Sequence, residues 1–297
     1  MSTFAEITDD ALSFLYGFTA LQDQATYLTA GIDDNDLTIT VADGTALSRG
    51  AIEIGDETIW VDSVDSSALT ATVPPYGRGF RGSTAAAHAS GTRVASSPLF
   101  PRRLVKRAIN ETIRAVYPDV FGVGSTTFTF NPAVSTYALP AGAQGILSIT
   151  WQTIGPSGEW QPGRRYSMDN QADPTAYPTG ATVSLFDAIV PGRTVSVTYR
   201  KIPSELSADG DSFTTVTGLP ASCEDLIRIG AQARMVPLLD ATHMTGLSAE
   251  ADYASNQNPA GSAATLARFL MQTFQLRLQE ETRRLQDVYP TRSYYTR

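Results

Sequence analysis

Apolar and polar residues alternate in short runs over residues 27–95, which is the pattern of half-buried β-strands. The pair Gly55-Asp56 separates two of these runs and has the composition of a tight hairpin turn. This stretch therefore predicts a small antiparallel barrel or sandwich, preceded by a short helix that starts near Thr8. The predicted strands are residues 27–30, 37–41, 51–54, 57–61 and 68–73.

The period changes to that of a helix over residues 102–117, where apolar side chains recur every three or four positions until Pro118. Residues 222–240 and 262–288 show the same spacing. The last helix would be about 40 Å long at a rise of roughly 1.5 Å per residue. Helices with apolar faces of this kind predict a bundle.

Between the helices, residues 125–218 return to strand-like alternation and predict an antiparallel β-sandwich. The predicted fold class is therefore α+β, with a hub of three to four helices that carries two β modules. The predicted segments are residues 1–97 (short helix and small β module), 98–124 (first hub helix), 125–218 (inserted β-sandwich), 219–288 (hub helices) and 289–297 (C-terminal docking tail).

Composition narrows the classes of protein that are possible. The 297 residues include one cysteine, Cys223, so neither an intrachain disulfide nor a paired-cysteine zinc site is expected. No apolar run reaches about 18 residues, so no membrane span is expected. The acidic, polar start of the chain does not have the pattern of a secretory signal peptide. Assembly in a reducing cytoplasm fits these features.

The net charge of −8 is distributed unevenly along the chain. Residues 1–97 have a net charge of −9, whereas residues 98–124 have a net charge of +3. Because a net-negative chain repels phosphates, stable binding of nucleic acid is not expected.

The sequence shows no set of residues that is typical of an active site. His88 could be a general base, but nothing near it supplies both a nucleophile and an orienting acid, so a structural histidine is predicted. His243 is predicted to lie at a helix end or in a loop. The spacing of Asp33, Asp34 and Asp36 does not match a calcium-binding loop and favours a solvated turn. We expect no enzyme activity, cofactor or metal.

An arginine–glycine run follows the predicted strands of the first module and covers residues 78–84. It lacks the Lys-Ser/Thr ending of a phosphate-binding loop, so nucleotide binding is not expected. Its arginines are predicted to pair with acids of the same module or with a neighbouring subunit. The residues predicted to close the module are Arg78, Gly79, Arg81, Gly82 and His88.

Two segments are candidates for binding other proteins. The first is the basic side of the helix at 102–117, which is either a solvated face or a contact for an acidic protein, with nucleic acid as a further reading. The second is the C-terminal tail, because Tyr and Arg are enriched at binding hot spots, although a disordered end is the alternative. The candidate residues are Arg102, Arg103, Lys106 and Arg107 in the helix, and Tyr289, Arg292, Tyr294, Tyr295 and Arg297 in the tail.

A group of aromatic and basic residues in the second β region could stack against sugars. In an antiparallel sandwich a buried tryptophan is the commoner arrangement, so both interpretations stay open. The residues are Trp151, Trp160, Arg164, Arg165 and Tyr166.

Residues 50–94 resemble a small β module that recurs in structural proteins of tailed bacteriophages. The resemblance rests on a glycine, a hairpin, an aliphatic strand position and a glycine-rich ending that includes an Ala-His pair. In this sequence these are Gly50, Ile54-Gly55-Asp56-Glu57, Val61, Arg78-Gly79, Gly82-Ser83-Thr84, Ala87-His88 and Gly91-Thr92-Arg93-Val94. This module also occurs in tail proteins, so it does not fix a position in the virion.

The remainder of the chain is similar in architecture to a head-to-tail adaptor (connector) protein. The resemblance implies a virion protein of the neck, with roughly twelve copies in a ring beneath the portal and DNA passing through the hole. It implies contacts with further copies of the chain, with the portal protein and with a tail-completion (stopper) or tail tube protein. Two other classes stay open: a tail-tip or host-recognition protein with glycan-binding β domains, and a glycosidase with two facing carboxylates.

Overall fold

The computed structural model describes residues 2–17, 24–153, 158–238 and 262–290. Helices and antiparallel sheets both occur in this part of the chain, which confirms the α+β class. The chain divides into two compact units: a first unit of residues 5–109 and 228–271, and a second unit of residues 1–4, 110–227 and 272–297.

The first β module begins after helix α1, which spans Phe4–Gly17. Two antiparallel sheets follow, with strand orders β1-β7-β3-β4 and β2-β6-β5. The strands are β1 (Gln24–Tyr27), β2 (Thr38–Thr40), β3 (Gly50–Ile54), β4 (Glu57–Val61), β5 (Ser63–Asp65), β6 (Thr70–Thr72) and β7 (Arg93–Ser96). Side chains from both sheets share one buried apolar cluster, among them Ile39, Ile52, Ile59, Ala71 and Val94.

Helix α1 begins earlier than the sequence predicts. The prediction placed its start near Thr8, but the helix begins at Phe4. Phe4, Ile7, Ala11 and Leu15 are all buried and follow one another at helical spacing. The apolar face therefore extends a full turn before Thr8, which is itself buried.

The hairpin predicted at Gly55-Asp56 is confirmed. Ile54 pairs with Glu57 across this two-residue turn, and Gly55 has a φ of 59°. A positive φ is the conformation that a tight hairpin requires and that glycine adopts without a steric penalty. The turn sets the register of β3 against β4 and so places Glu57 on the inner side of its strand.

The second β region, in the second unit, also consists of two sheets around one apolar cluster, with strand orders β11-β10-β14-β8 and β12-β13-β9. Its strands are β8 (Gly122–Thr129), β9 (Thr136–Ala138), β10 (Ala143–Gln152), β11 (Trp160–Pro162), β12 (Tyr166–Asp169), β13 (Thr182–Leu185) and β14 (Thr194–Lys201). The barrel or sandwich predicted for the first module, the sandwich predicted for the second β region and the predicted helix bundle all stay predictions.

The further helices that lie wholly within the described residues are α2 (Arg102–Ala115), α3 (Phe213–Thr217), α4 (Cys223–Met235) and α5 (Ser262–Val288). Helix α5 has the limits that its spacing predicts. Helix α4 ends two residues before Pro237, where the sequence predicts a kink or an early end. No helix within the described ranges has the length and apolar character needed to cross a membrane.

Candidate functional site

A buried glutamate holds the parts of the first β module together. Glu57 opens β4 and points inward with Ile59 and Val61. Its side chain is 0% exposed, and a carboxylate in such a position needs charged or hydrogen-bonding partners. Arg78 provides two bonds: its Nε donates to Oε1 at 2.8 Å and its Nη2 donates to Oε2 at 3.0 Å.

Three further groups complete the surroundings of the Glu57 carboxylate. His88 Nε2 lies 2.9 Å from Oε2, the backbone N–H of Gly79 donates to Oε1 at 3.0 Å, and that of Ala86 donates to Oε2 at 3.2 Å. Burial by itself would raise the pKa of Glu57, but the hydrogen bonds from Arg78, Gly79, His88 and Ala86 outweigh it and lower that pKa. The carboxylate is therefore ionised at neutral pH.

Arg78 extends this network to the acidic turn at residues 33–36. Its Nη1 donates to the backbone carbonyl oxygens of Asp33 and Asp36, and its Nη2 donates to the carbonyl oxygen of Ala86 at 2.7 Å. One guanidinium group thus ties the turn at residues 33–36 and the connection between β6 and β7 to the same buried anion. Arg78, Gly79 and His88 meet at Glu57, which the sequence analysis did not single out as a site residue.

The Glu57 network does not have the geometry of a catalytic site. His88 faces a carboxylate, but the hydroxyl of Ser83, in the same run, donates to the carbonyl oxygen of Phe80 at 3.0 Å and accepts from the backbone N–H of Thr58. Among the described residues, no three His, Cys, Asp or Glu side chains are grouped so that they could hold a metal ion. The network holds loops in place, and we assign it a structural role.

The first basic residues of α2 pair with acids of their own unit. Arg102 forms ion pairs with Asp9 and, at 3.5 Å, with Asp56, and Lys106 also pairs with Asp56. The side chains of Arg102 and Lys106 are only 16% and 11% exposed. Their charges are thus largely compensated inside the first unit.

The exposed side of α2 borders a groove in the first unit. Arg103 and Arg107 are both exposed there, and Arg103 donates to the backbone carbonyl oxygen of Arg81 at 2.9 Å. The groove has a volume of about 350 Å³. Its apolar lining includes Trp60, Pro98, Pro101 and Leu104. Its charged lining consists of Arg81, Arg103 and Glu53, and the Glu53 carboxylate accepts a hydrogen bond from the backbone N–H of Arg102 at 2.8 Å.

A second buried glutamate lies in the second unit, where α5 passes the start of α4. The Glu281 side chain accepts a hydrogen bond from the hydroxyl of Ser222 at 2.6 Å and one from Arg284 at 2.6 Å. Cys223 Sγ lies 3.9 Å from the same carboxylate. Burial, followed by the charge of Glu281, raises the pKa of the Cys223 thiol to about 12. This thiol is therefore protonated and unreactive at neutral pH.

The C-terminal end of α5 borders a cavity of about 500 Å³ in the second unit. Val288, Tyr289 and Pro290 line it on one side, and residues of β10 line it on the other. The other predicted tail residues, Arg292, Tyr294, Tyr295 and Arg297, lie outside the described residues, as does His243.

Both buried glutamates stand at positions where the spacing of the neighbouring apolar residues predicts an apolar side chain. Glu57 stands two residues before Ile59 on the inner face of β4. Glu281 stands four residues before the buried Leu285 on α5. A carboxylate on the apolar face of a strand or helix indicates a charged partner elsewhere in the chain, and this signal could have identified both residues.

Comparison with known proteins gives one family match. The model of the SU10 adaptor protein family matches residues 83–293, which is most of the chain and includes α2 to α5 and the second β region. Residues 50–82 precede the match, so the resemblance to a recurrent phage β module stays a prediction. No curated protein matches the chain. The chain therefore belongs to the SU10 adaptor protein family and is a bacteriophage structural protein of the adaptor type.

Proposed function

We propose that copies of this chain form a ring between the portal and the tail, and that DNA passes through the ring. The family match carries this proposal, because it supports a structural role in the virion. In this role the chain has no catalytic function and needs no cofactor. Its partners are further copies of itself, the portal protein and a tail-completion (stopper) or tail tube protein.

Helix α5 supports a contact between copies. Phe269 and Leu276 lie seven residues apart and hence on one face of the helix, and each is 62% exposed. Burying a side chain of this size stabilises a contact by about 1.5–3 kcal/mol. We infer that a neighbouring copy covers this face of α5 in the ring.

An electron-microscopy image of the particle tests the ring. We expect closed cyclic symmetry, with roughly twelve copies directly beneath the portal. A position at the tail tip, or roughly three to six copies per particle, would contradict the proposal and favour a host-recognition protein.

Trp160 is the residue that keeps this second function open, because its side chain is exposed and could stack against a glycan. Binding of the purified chain on a glycan array would support it.

The negative charge of residues 1–97 suits a surface that DNA passes without being held. Acidic side chains repel phosphates over roughly one Debye length, about 8 Å at physiological salt. We propose that acidic residues line the hole or its rim. A ring structure whose hole is lined with basic residues would contradict this.

The C-terminal tail is the proposed docking segment for the portal. We expect deletion of residues 289–297 to abolish portal binding, because truncation of a Tyr or Arg hot spot costs about 2 kcal/mol or more. Loss of Tyr294 or Tyr295 alone would then weaken binding by roughly 30-fold. Binding to purified portal rings measures the effect, and circular dichroism checks that the truncated chain folds.

Two further variants separate docking from folding. Deletion of residues 291–297 keeps Tyr289 and Pro290, which line the cavity, and should abolish portal binding equally. Thr296→Ala is a matched control inside the tail and should leave binding unchanged. Unaltered portal binding by both truncated chains would refute the proposal for the tail.

A further inference from the structure

The groove beside α2 is lined by two arginines and one glutamate, Glu53, so its charged side chains carry an excess of positive charge. Neither Arg81 nor Arg103 has an acidic partner among the described residues. Both guanidinium groups border a surface formed by Trp60, Pro98 and Leu104. A groove with an apolar floor and two cations at its edge fits a short acidic segment of a protein.

The two arginines are held in place before any partner arrives. Arg103 is fixed by its bond to the carbonyl oxygen of Arg81. Arg81 has a φ of 55°, in the left-handed region that non-glycine residues rarely adopt, and its guanidinium carbon lies 5.6 Å from the centre of the Phe80 ring. Less side-chain freedom is therefore lost when an anion binds here.

The chain itself contains an exposed acidic segment that is also preformed. In the turn at residues 33–36 the Asp36 carboxylate accepts from the backbone N–H of Asp33 at 2.7 Å, and Asn35 donates to Asp34 at 2.7 Å. Arg78 holds the carbonyl oxygens of the turn from the protein side. Asp33 and Asp34 are exposed, and neither has a basic partner in the described part of the chain.

We propose that the acidic turn of one copy binds in the groove of the next copy, with Asp33 and Asp34 against Arg81 and Arg103. The charges support a second copy as the occupant, since the turn presents two exposed carboxylates and the groove presents two guanidinium groups against one carboxylate. A contact between two different surfaces repeats from copy to copy and can close into a ring. The inference rests on the proposed ring and specifies one of its subunit contacts.

Charge exchange in the full-length chain tests this contact. Arg81→Glu with Arg103→Glu places like charges against the turn and should weaken self-association at least tenfold, as measured by analytical ultracentrifugation over a range of concentrations. Asp33→Lys with Asp34→Lys should weaken it similarly. A chain with all four changes, or an equimolar mixture of the two double variants, should associate again. Arg164→Glu with Arg165→Glu, at two exposed positions of the second β region, makes the same change of charge, and this control should have no effect on self-association.

The outcomes separate this contact from the ring itself. Restored association that stops at a dimer would support the contact and count against the ring. Ring formation that is unaffected by Arg81→Glu with Arg103→Glu would overturn the contact and leave the ring intact. A chain that stays monomeric at all concentrations, or reversed charges that fail to restore association in both the combined variant and the mixture, would also overturn the contact.

Discussion

Replacement of Glu57 with glutamine is expected to destabilise the first unit by about 3–5 kcal/mol, the usual cost of removing one partner of a buried ion pair. Glutamine keeps the shape of the side chain but removes the charge. Arg78, whose side chain is 6% exposed, is then left buried without its anion. The acidic turn and the arginine–glycine run lose their common attachment at the same time.

Denaturant unfolding of the full chain measures this change, with an exposed ion pair as the control. Arg49 and Asp62 form such a pair, and their side chains are 71% and 50% exposed. Asp62→Asn should therefore cost no more than about 1 kcal/mol. The double variant Glu57→Gln with Arg78→Gln should cost less than the sum of the two single changes, because neither charge is left unpaired. Equal costs for Glu57→Gln and Asp62→Asn would contradict the proposed role of Glu57.

The effect of Glu57 should depend on pH in a defined direction. The pKa of Glu57 is lowered in the folded chain, whereas an unfolded glutamate has a pKa of about 4.3. Its contribution to stability is therefore fully present above that unfolded value and is lost as the pH falls through the lower, folded value. The stability difference between the natural chain and Glu57→Gln should therefore shrink as the pH falls below about 4.3. A constant difference down to pH 3 would contradict this assignment.

Glu281→Gln is expected to loosen the packing of α5 against the start of α4 by about 2 kcal/mol, which is typical of a lost hydrogen bond to a charged group. The Glu281 side chain is 1% exposed and bonds to Ser222 and Arg284. Cys223, beside the same carboxylate, reports the change directly because it is the one cysteine of the chain. Its labelling by a thiol reagent requires local opening. When opening and closing are fast compared with labelling, the labelling rate follows the opening equilibrium, so the variant should be labelled roughly 30-fold faster.

The adjacent residue provides the control for this experiment. Arg277 pairs with Glu281, at 3.6 Å, and with Glu280, whose side chain is 53% exposed. Glu280→Gln should therefore change the labelling rate of Cys223 by no more than about fivefold, the equivalent of about 1 kcal/mol. Equal acceleration by the two variants would show that general loss of charge on α5, and not the buried bond network, controls the opening.

The elements that could be predicted from the sequence are those with a long, regular pattern. Helix α5 keeps its apolar period over 27 residues, and its predicted limits are those observed. Strands β5, β9, β11 and β12 were not predicted, because each has only three or four residues. The equally short β2 and β6 were predicted because they lie inside longer alternating runs, residues 37–41 and 68–73. Strand β7 was missed because its pairing with β1 and β3 joins residues that are distant in sequence.

The site could be predicted only in part, because its residues are brought together from distant parts of the sequence. The sequence indicated that Arg78, Gly79 and His88 act together, but their common partner is Glu57, which lies 21 to 31 residues earlier in the chain. The basic residues of α2 look alike in sequence, yet Arg102 and Lys106 reach Asp56 on the β3–β4 turn, whereas Arg103 lines the groove. Local spacing does not contain these long-range pairings, which depend on the register of the strands.

In the proposed contact between copies, the bonds of Arg78 to the acidic turn would link the folding of one copy to its entry into an assembly. A copy whose Glu57–Arg78 network has not formed has no fixed position for residues 33–36 or for the arginine–glycine run that contains Arg81. Such a copy would offer its neighbours neither the acidic turn nor the complete groove. Misfolded copies would thus be left out at the assembly step, without a separate factor to inspect them.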